Sequence, residues 1–298
     1  RFEALVGARL EQLLAVALPS MARQTTQCFV WVLLTDPALP EGPRARLEKA
    51  LAPHAHMRLV DSVSQTDREK PNTALFEATF GEGEWRGAMR DAKEFTLIRL
   101  DADDALKVQY VETVVDWRRR NGTTKPLGPG RTYAYLCSSQ SLGWTSAHAR
   151  GWERGDAGKA PVDAHLNVIS ESLAQGCLAS GLTMAHHVSG GVIAACDPKP
   201  RSANHDKLRR RFAVSVLQGS PPVFRVRSVT SNGGSAHEGG RVVVKPKTVE
   251  RDFGIPVTNL LALTRYLSVH EADVAREMLD DQAARGCNGH YSGSCDRG

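Results

Sequence analysis

Acidic side chains crowd into one short stretch of this chain. Asp101, Asp103 and Asp104 follow one another with only Ala102 between the first two. The apolar run Phe95-Thr96-Leu97-Ile98 leads straight into them and has the composition of a strand. In an open α/β sheet, ligands gather outside the carboxyl ends of the strands. Carboxylates at such an end offer hard oxygen donors, which suit a divalent cation that keeps some water and binds substrate phosphate. Asp101 and Asp103 are two residues apart, so in an extended segment they point the same way. One cation could then see both. The chemistry implied is a metal–diphosphate site, and with it transfer of a group from a nucleotide donor. The plainer alternative is capping, with Asp103 or Asp104 starting a helix near Ala105–Arg118.

The elements that must position these acids can be read from the pattern. Apolar residues at helical spacing predict a helix over Val6–Arg23, with Pro19 ending or kinking it. Cys28–Thr35 is a continuous apolar run, as expected of a strand covered on both faces, and Asp36-Pro37 stops it. Pro40–Leu51 reads as a helix and Met57–Val60 as a strand. The polar Ser62–Asn72 reads as a loop, and a helix is expected over Trp85–Ala92. This alternation predicts a parallel or mostly parallel sheet. After the acids, a helix runs from about Val108 to Arg118-Arg119-Arg120 and Asn121-Gly122, whose charge and glycine suit a helix C-terminus. Thr132–Cys137 and Leu142–Thr145 look like a hairpin or two edge strands. Gly151–Pro161 reads as a mobile loop, and Asp163–Ala174 as helical. Thr183–Val188 is a strand bearing His186 and His187, before Ser189-Gly190-Gly191. His205–Leu217 reads as a helix, Val223–Val229 as a strand and Ser231–Gly240 as flexible. Val257–Tyr266 and His270–Ala284 read as two helices, with a poorly ordered tail after them.

The bulk numbers set limits. The chain has 298 residues, enough for one large α/β domain or a domain with an appendage. Its formal net charge of +5 suits phosphate-bearing ligands without naming a partner. The basic run Lys207-Leu208-Arg209-Arg210-Arg211 reads as a solvated helix face. It lacks the interleaved aromatics that single-stranded nucleic acid needs, so no nucleic-acid partner is expected. No run of about 18 apolar residues suggests a membrane span. The six cysteines include no CxxC pair, which argues against a zinc ribbon. Cys28 and Cys137 read as small core residues, while Cys287 and Cys295 could close a disulfide in the tail.

Several segments together resemble the rhamnosyltransferase family. They are Leu18-Pro19-Ser20-Met21-Ala22-Arg23-Gln24-Thr25, the strand Phe29–Thr35 with Asp36, and Arg99-Leu100-Asp101-Ala102-Asp103-Asp104-Ala105-Leu106. Cys177–Thr183 and Arg227–Ser231 are similar more weakly. The resemblance spans roughly residues 1–235. It implies an α/β fold of the GT-A type, a mostly parallel mixed sheet flanked by helices. Arg1-Phe2 resembles the end of that family's first strand, so the first strand is expected to be truncated here, and a missing piece could have carried a targeting signal or anchor. Residues 1–245 would form the transferase domain and 246–298 a C-terminal helical extension with a disordered, cysteine-containing tail.

The resemblance also implies roles. The activity would be metal-dependent, moving a sugar from a nucleoside-diphosphate donor to a hydroxyl of a glycan or small-molecule acceptor, with inversion. The family label suggests rhamnose as the sugar. Asp101 and Asp103 would hold Mn2+ or Mg2+, with Asp104 either a ligand or a cap. His187 is the expected third ligand, being nearer the Gly-rich turn than His186. Asp36 would accept from the base or ribose of the donor. Arg99 would face the diphosphate, or merely pair with an acid. Asp163, after the polar loop, is the expected base that deprotonates the acceptor hydroxyl, with Asp156 and Glu153 competing. Trp144 and Trp152 could stack on an acceptor sugar or simply pack. Other readings compete. A dehalogenase-type phosphatase would not place Ala105 where it stands, and an EF-hand loop would need a glycine and a closing Glu that are absent. A nucleotidyltransferase, or a degenerate transferase used for carbohydrate binding or as a scaffold, stays open.

Overall fold

The computed structural model describes residues 3–61, 73–80, 94–121, 133–145, 169–173, 180–189, 192–193, 214–217, 219–228 and 245–284, with scattered positions from 81 to 92. Six helices and eleven strands are described. In chain order they begin with α1 (Glu3–Ala22), β1 (Trp31–Thr35), α2 (Glu41–Leu51), β2 (Met57–Asp61), α3 (Thr73–Phe80), β3 (Glu94–Ile98) and β4 (Asp104–Leu106). Then come α4 (Tyr110–Asn121), β5 (Tyr133–Cys137), β6 (Gln140–Thr145), β7 (Ile169–Leu173), β8 (Thr183–Ser189) and β9 (Val192–Ile193). The chain closes with β10 (Val214–Val216), β11 (Val223–Arg227), α5 (Pro246–Phe253) and α6 (Val257–Ala284).

The strands form three sheets: β1-β2, then β10-β5-β8-β3 with β9 beside β8, and β4-β11-β6-β7. Three of these pairings are parallel and five antiparallel, so the sheet system is mixed and not mostly parallel as expected. The chain is an α/β protein. Of the three parallel pairs, β1–β2 is joined by a helix, α2, as the alternation predicts, while β10–β5 and β11–β6 join strands far apart in sequence. Long-range antiparallel pairings account for the difference.

Two apolar cores lie on opposite faces of the β4-β11-β6-β7 sheet. Side chains alternate across a strand. Ala105, Phe224, Val226, Leu142 and Trp144 face one way, against Val16 of α1, Val249 and Phe253 of α5, and Leu260, Leu263, Leu267 and Val274 of α6. Leu106 and Val223 face the other way, against Leu13 and Met21 of α1, Leu33 of β1, Met57 of β2 and Tyr110, Val114 and Trp117 of α4. By the same alternation Asp104, two residues before Leu106, belongs to the second face. The buried positions of α6 recur at a spacing of three to seven residues, which gives it one apolar stripe. That stripe ties residues 246–284 into the same core as the sheet.

Helix α1 absorbs Pro19 instead of stopping there. The stretch Leu13–Ala17 widens into a π-helix, and the Leu18 amide bonds back to Leu13 O. Proline has no amide to give and crowds the preceding turn, so a locally wider turn relieves it. Asn259 Nδ2 of α6 lies 3.5 Å from Ala15 O, one of the carbonyls this rearrangement leaves without its usual helical donor. By length and composition alone α1 could cross a membrane, and half of its apolar window is buried inside the fold.

Other expectations are corrected. β5 and β6 neither pair with each other nor lie at edges; each sits between two strands of a different sheet. The helix expected over Asp163–Ala174 contains strand β7, and that over His205–Leu217 contains strand β10. The two C-terminal helices are one, α6. Cys137 is buried in the core as expected and is also disulfide-bonded, whereas Cys28 is an exposed free thiol and not a core residue. The loops at Ser62–Asn72, Gly151–Pro161 and Ser231–Gly240, the Lys207–Arg211 run and the Cys287–Cys295 tail lie outside the described residues, as does most of Trp85–Ala92.

Candidate functional site

The acidic segment is a turn, not an extended run. Strand β3 continues one step beyond Ile98: Arg99 N donates to Leu182 O at 2.9 Å, and Gly181 N to Arg99 O at 2.7 Å. The chain then reverses. Asp104 N donates to Asp101 O at 3.0 Å, closing a four-residue turn over Asp101–Asp104. Strand β4 leaves it and pairs antiparallel with β11, setting Asp104 opposite Arg225. The alternation argument for Asp101 and Asp103 therefore does not apply, since it holds only for extended chain. Nor does Asp103 or Asp104 cap a helix: Asp104 is in a strand, and α4 starts only at Tyr110.

The three carboxylates sit in different environments. Asp101 is partly exposed, and Arg99 Nε lies 3.2 Å from its Oδ1. Asp103 is half-buried. Asp104 is 3% exposed and accepts from Val226 N at 3.3 Å. Burial pushes the Asp104 carboxyl up to about 7, and the neighbouring Asp103 carboxylate adds to this; Arg225 pulls the other way. Carboxylates that raise one another's proton affinity favour an added cation by the same repulsion. Among the described residues, no three His, Cys, Asp or Glu side chains form a group able to hold a metal ion on their own. That excludes a closed protein cage among them. It is compatible with a Mg2+- or Mn2+-type site, which uses one or two carboxylates and completes its shell with water and substrate phosphate.

The turn is held by residues far away in sequence. Ser180, 1% exposed, bonds through its hydroxyl to the Asp104 carboxylate, and that oxygen lies 3.5 Å from Asp101 N. Gly181 follows with φ of +75°. The positive φ favours glycine there, and a Cβ would crowd its neighbours, 3.1 Å from Val223 Cγ2 and 3.3 Å from the Tyr110 hydroxyl. Tyr110 donates its hydroxyl to Gly181 O, and burial pushes its pKa up to about 12. Downstream, Ser20 Oγ bonds both backbone groups of Leu106. Gln24 Nε2 donates to Lys107 O at 3.0 Å, while its Oε1 accepts from Val111 N at 3.1 Å at the start of α4. Thr25 N donates to Val108 O, Lys107 N to Pro222 O and Val108 N to Asp252 O, each at 2.8 Å. The Pro19-Ser20…Gln24-Thr25 motif is thus the brace of the acidic turn.

The other expected site residues among those described are Asp36, His187 and Trp144. Asp36 is exposed after β1; its Oδ1 accepts from Ala38 N at 2.8 Å, which closes an Asp-Pro turn. Beside it, Asp61 ends β2, and its hydrogen bond from Arg44 holds its carboxyl below the usual range. His187 lies on β8 as expected, but the register sets it opposite Glu94, while Thr183 is opposite Ile98. Four residues of strand, roughly 13 Å at about 3.3 Å each, separate its backbone from the end of β3 where the acids follow. The register therefore does not deliver His187 to them; Ser180 and Gly181 come there instead. Trp144 is 0% exposed and packs in the core, which leaves no acceptor sugar for it to stack on. Asp163, Asp156, Glu153 and Trp152 lie outside the described residues. Ser180 and Arg225 were not singled out in the sequence; only the weak likeness of Cys177–Thr183 hinted at the first.

A family profile described as "Putative rhamnosyl transferase" matches residues 3–241. The chain belongs to this rhamnosyl transferase family. The match takes in the acidic turn, the brace from α1, the Ser180-Gly181 support and Arg225. It stops before α5 and α6, although both complete the core under the sheet. No curated protein matches the chain.

Proposed function

We propose that this rhamnosyl transferase family member moves a sugar, rhamnose by the family's label, from a nucleoside-diphosphate sugar to an acceptor hydroxyl, with inversion, on a GT-A-like scaffold. The observation that carries this reading is the braced turn of three carboxylates, in which burial and its neighbours push Asp104 up to about 7. Asp101 and Asp103 would hold Mn2+ or Mg2+. When bound, the cation supplies Lewis-acid stabilisation of the charge that develops on the departing diphosphate.

The chain's own residues have the remaining tasks. The acceptor oxygen attacks the anomeric carbon, the bond from that carbon to the diphosphate oxygen breaks, and the electron pair leaves with the nucleoside diphosphate. The acceptor proton goes to a carboxylate, for which Asp163 is our assignment. Asp36 would receive the donor's base or ribose, on the carbonyl and carboxylate oxygens of its turn. Arg99, 57% exposed, would turn from Asp101 toward the diphosphate; an exposed ion pair of this kind holds it with little energy.

A nucleotide-sugar panel read by thermal shift with and without Mn2+ tests the reading. Binding to the folded state raises apparent stability by mass action. A rise that needs both Mn2+ and one nucleoside-diphosphate sugar is expected. No rise with any donor would contradict it, and retained glycan binding alone would point to a carbohydrate-binding scaffold.

A further inference from the structure

Arg225 stands beside the acidic turn with an unfilled donor. The antiparallel register sets it opposite Asp104, on the same face of the sheet. Its Nε lies 3.8 Å from Asp104 Oδ2, beyond hydrogen-bond reach. That Nε is buried and has no hydrogen-bond partner among the described residues. A buried donor that faces a carboxylate without hydrogen-bonding it is costly. The side chain as a whole is 25% exposed, so part of it meets solvent. On the other neighbouring strand, the residue in register with Arg225 is Gly143, which contributes no side chain to cover the guanidinium. A cationic fork beside the Asp104 carboxylate, a quarter exposed and with its Nε not hydrogen-bonded, suits an incoming oxyanion. Arg is the side chain whose planar fork matches phosphate oxygens.

Resting on the reading given under Proposed function, we propose that Arg225 receives a phosphate oxygen of the donor's diphosphate. The guanidinium would then neutralise charge on the leaving group in addition to any cation that Asp101 and Asp103 would hold.

Calorimetric titration of the whole chain with UDP, GDP and dTDP in Mn2+, each against its parent nucleoside, tests this. The wild-type protein should bind one diphosphate far more tightly than its nucleoside. Arg225→Gln should weaken that diphosphate at least tenfold and leave the nucleoside unchanged, with Arg225→Lys intermediate. Because Arg225→Gln leaves Asp104 buried without its cation, the pair Asp104→Asn with Arg225→Gln keeps the test valid if the single variant fails to fold. The paired variant should also bind the diphosphate at least tenfold more weakly. Wild-type affinity in the folded single or paired variant would overturn the proposal, because Arg225 would then act only on Asp104 or not at all. A wild-type protein that prefers no diphosphate over its nucleoside would instead overturn the donor reading itself, and the role of Arg225 with it.

Discussion

Ser20 and Leu106, 86 residues apart, are joined twice: the Ser20 hydroxyl donates to Leu106 O at 2.9 Å and accepts from Leu106 N at 3.0 Å. Both residues are fully buried. One hydroxyl thus completes the backbone of β4 on the side away from β11, two residues after Asp104. The helix that carries Pro19 and Ser20 sets where the acidic turn can lie.

Ser20→Ala therefore leaves a buried amide and a buried carbonyl without partners. Unsatisfied buried groups cost about 1–3 kcal/mol. The melting temperature should fall by several degrees, at about 2–4 °C per kcal/mol for chains of this size. Thermal denaturation followed by circular dichroism measures it. Ser20→Thr, which keeps the hydroxyl, should lose less. An unchanged melting temperature in Ser20→Ala would mean that the brace is not needed.

Asp104 makes stability depend on pH. Its folded carboxyl is pushed up to about 7, while in an unfolded chain it titrates near 3.8. Between those values the folded state keeps a proton that the unfolded state has lost. Its contribution is fully favourable below about 3.8 and is lost as pH rises through about 7. Without divalent cations, the urea midpoint should fall from pH 5 to pH 7.5. Asp104→Asn keeps an oxygen to accept from Val226 N, so it should flatten this fall and be the more stable protein above pH 7. A wild-type midpoint that rises across the window, with the variant parallel to it, would refute this assignment.

Helices α5 and α6 lie beyond the family match but fill the core. Val249, Phe253, Ile255, Leu260, Leu263, Leu267 and Val274 are all buried there. Each buried side chain of this kind is worth about 1.5–3 kcal/mol. Their sum is at least as large as a typical net stability of a domain, which is about 5–15 kcal/mol. A chain ending at residue 245 should therefore not fold, and its near-UV circular dichroism should be flat. A native-like spectrum would show instead that residues 246–284 are an appendage.

The sequence revealed contiguous features and concealed those made by distant contacts. Strand β3 was legible because its apolar run stands beside three acids, and β1, α2 and β2 because they alternate in order. The turn at Asp101–Asp104 was not, because alternation says where side chains point only if the backbone is extended. β7, with the polar core Ser170-Glu171-Ser172, has little strand propensity and is a strand because β6 pairs with it. β5 and β6 are separated only by Ser138 and Ser139, which mimics a hairpin. Ser138 Oγ instead bonds both backbone groups of Gln140 across the corner, and the two strands enter different sheets. Val269, 74% exposed, falls out of phase with the buried stripe of α6 and made one helix look like two. The partners of the acidic turn were hardest of all to foresee: Ser20, Ser180 and Arg225 are ordinary residues until the fold brings them to Asp104 and Leu106.

The most direct test of the site is release of nucleoside diphosphate from the donor that binds, followed with and without Mn2+ in the wild-type protein and in Asp103→Ala. Our account expects release that depends on the metal and falls by at least a hundredfold in the variant, whose melting temperature stays within a few degrees. Near-normal release from Asp103→Ala, or wild-type release indifferent to Mn2+ and to its removal by chelator, would contradict it.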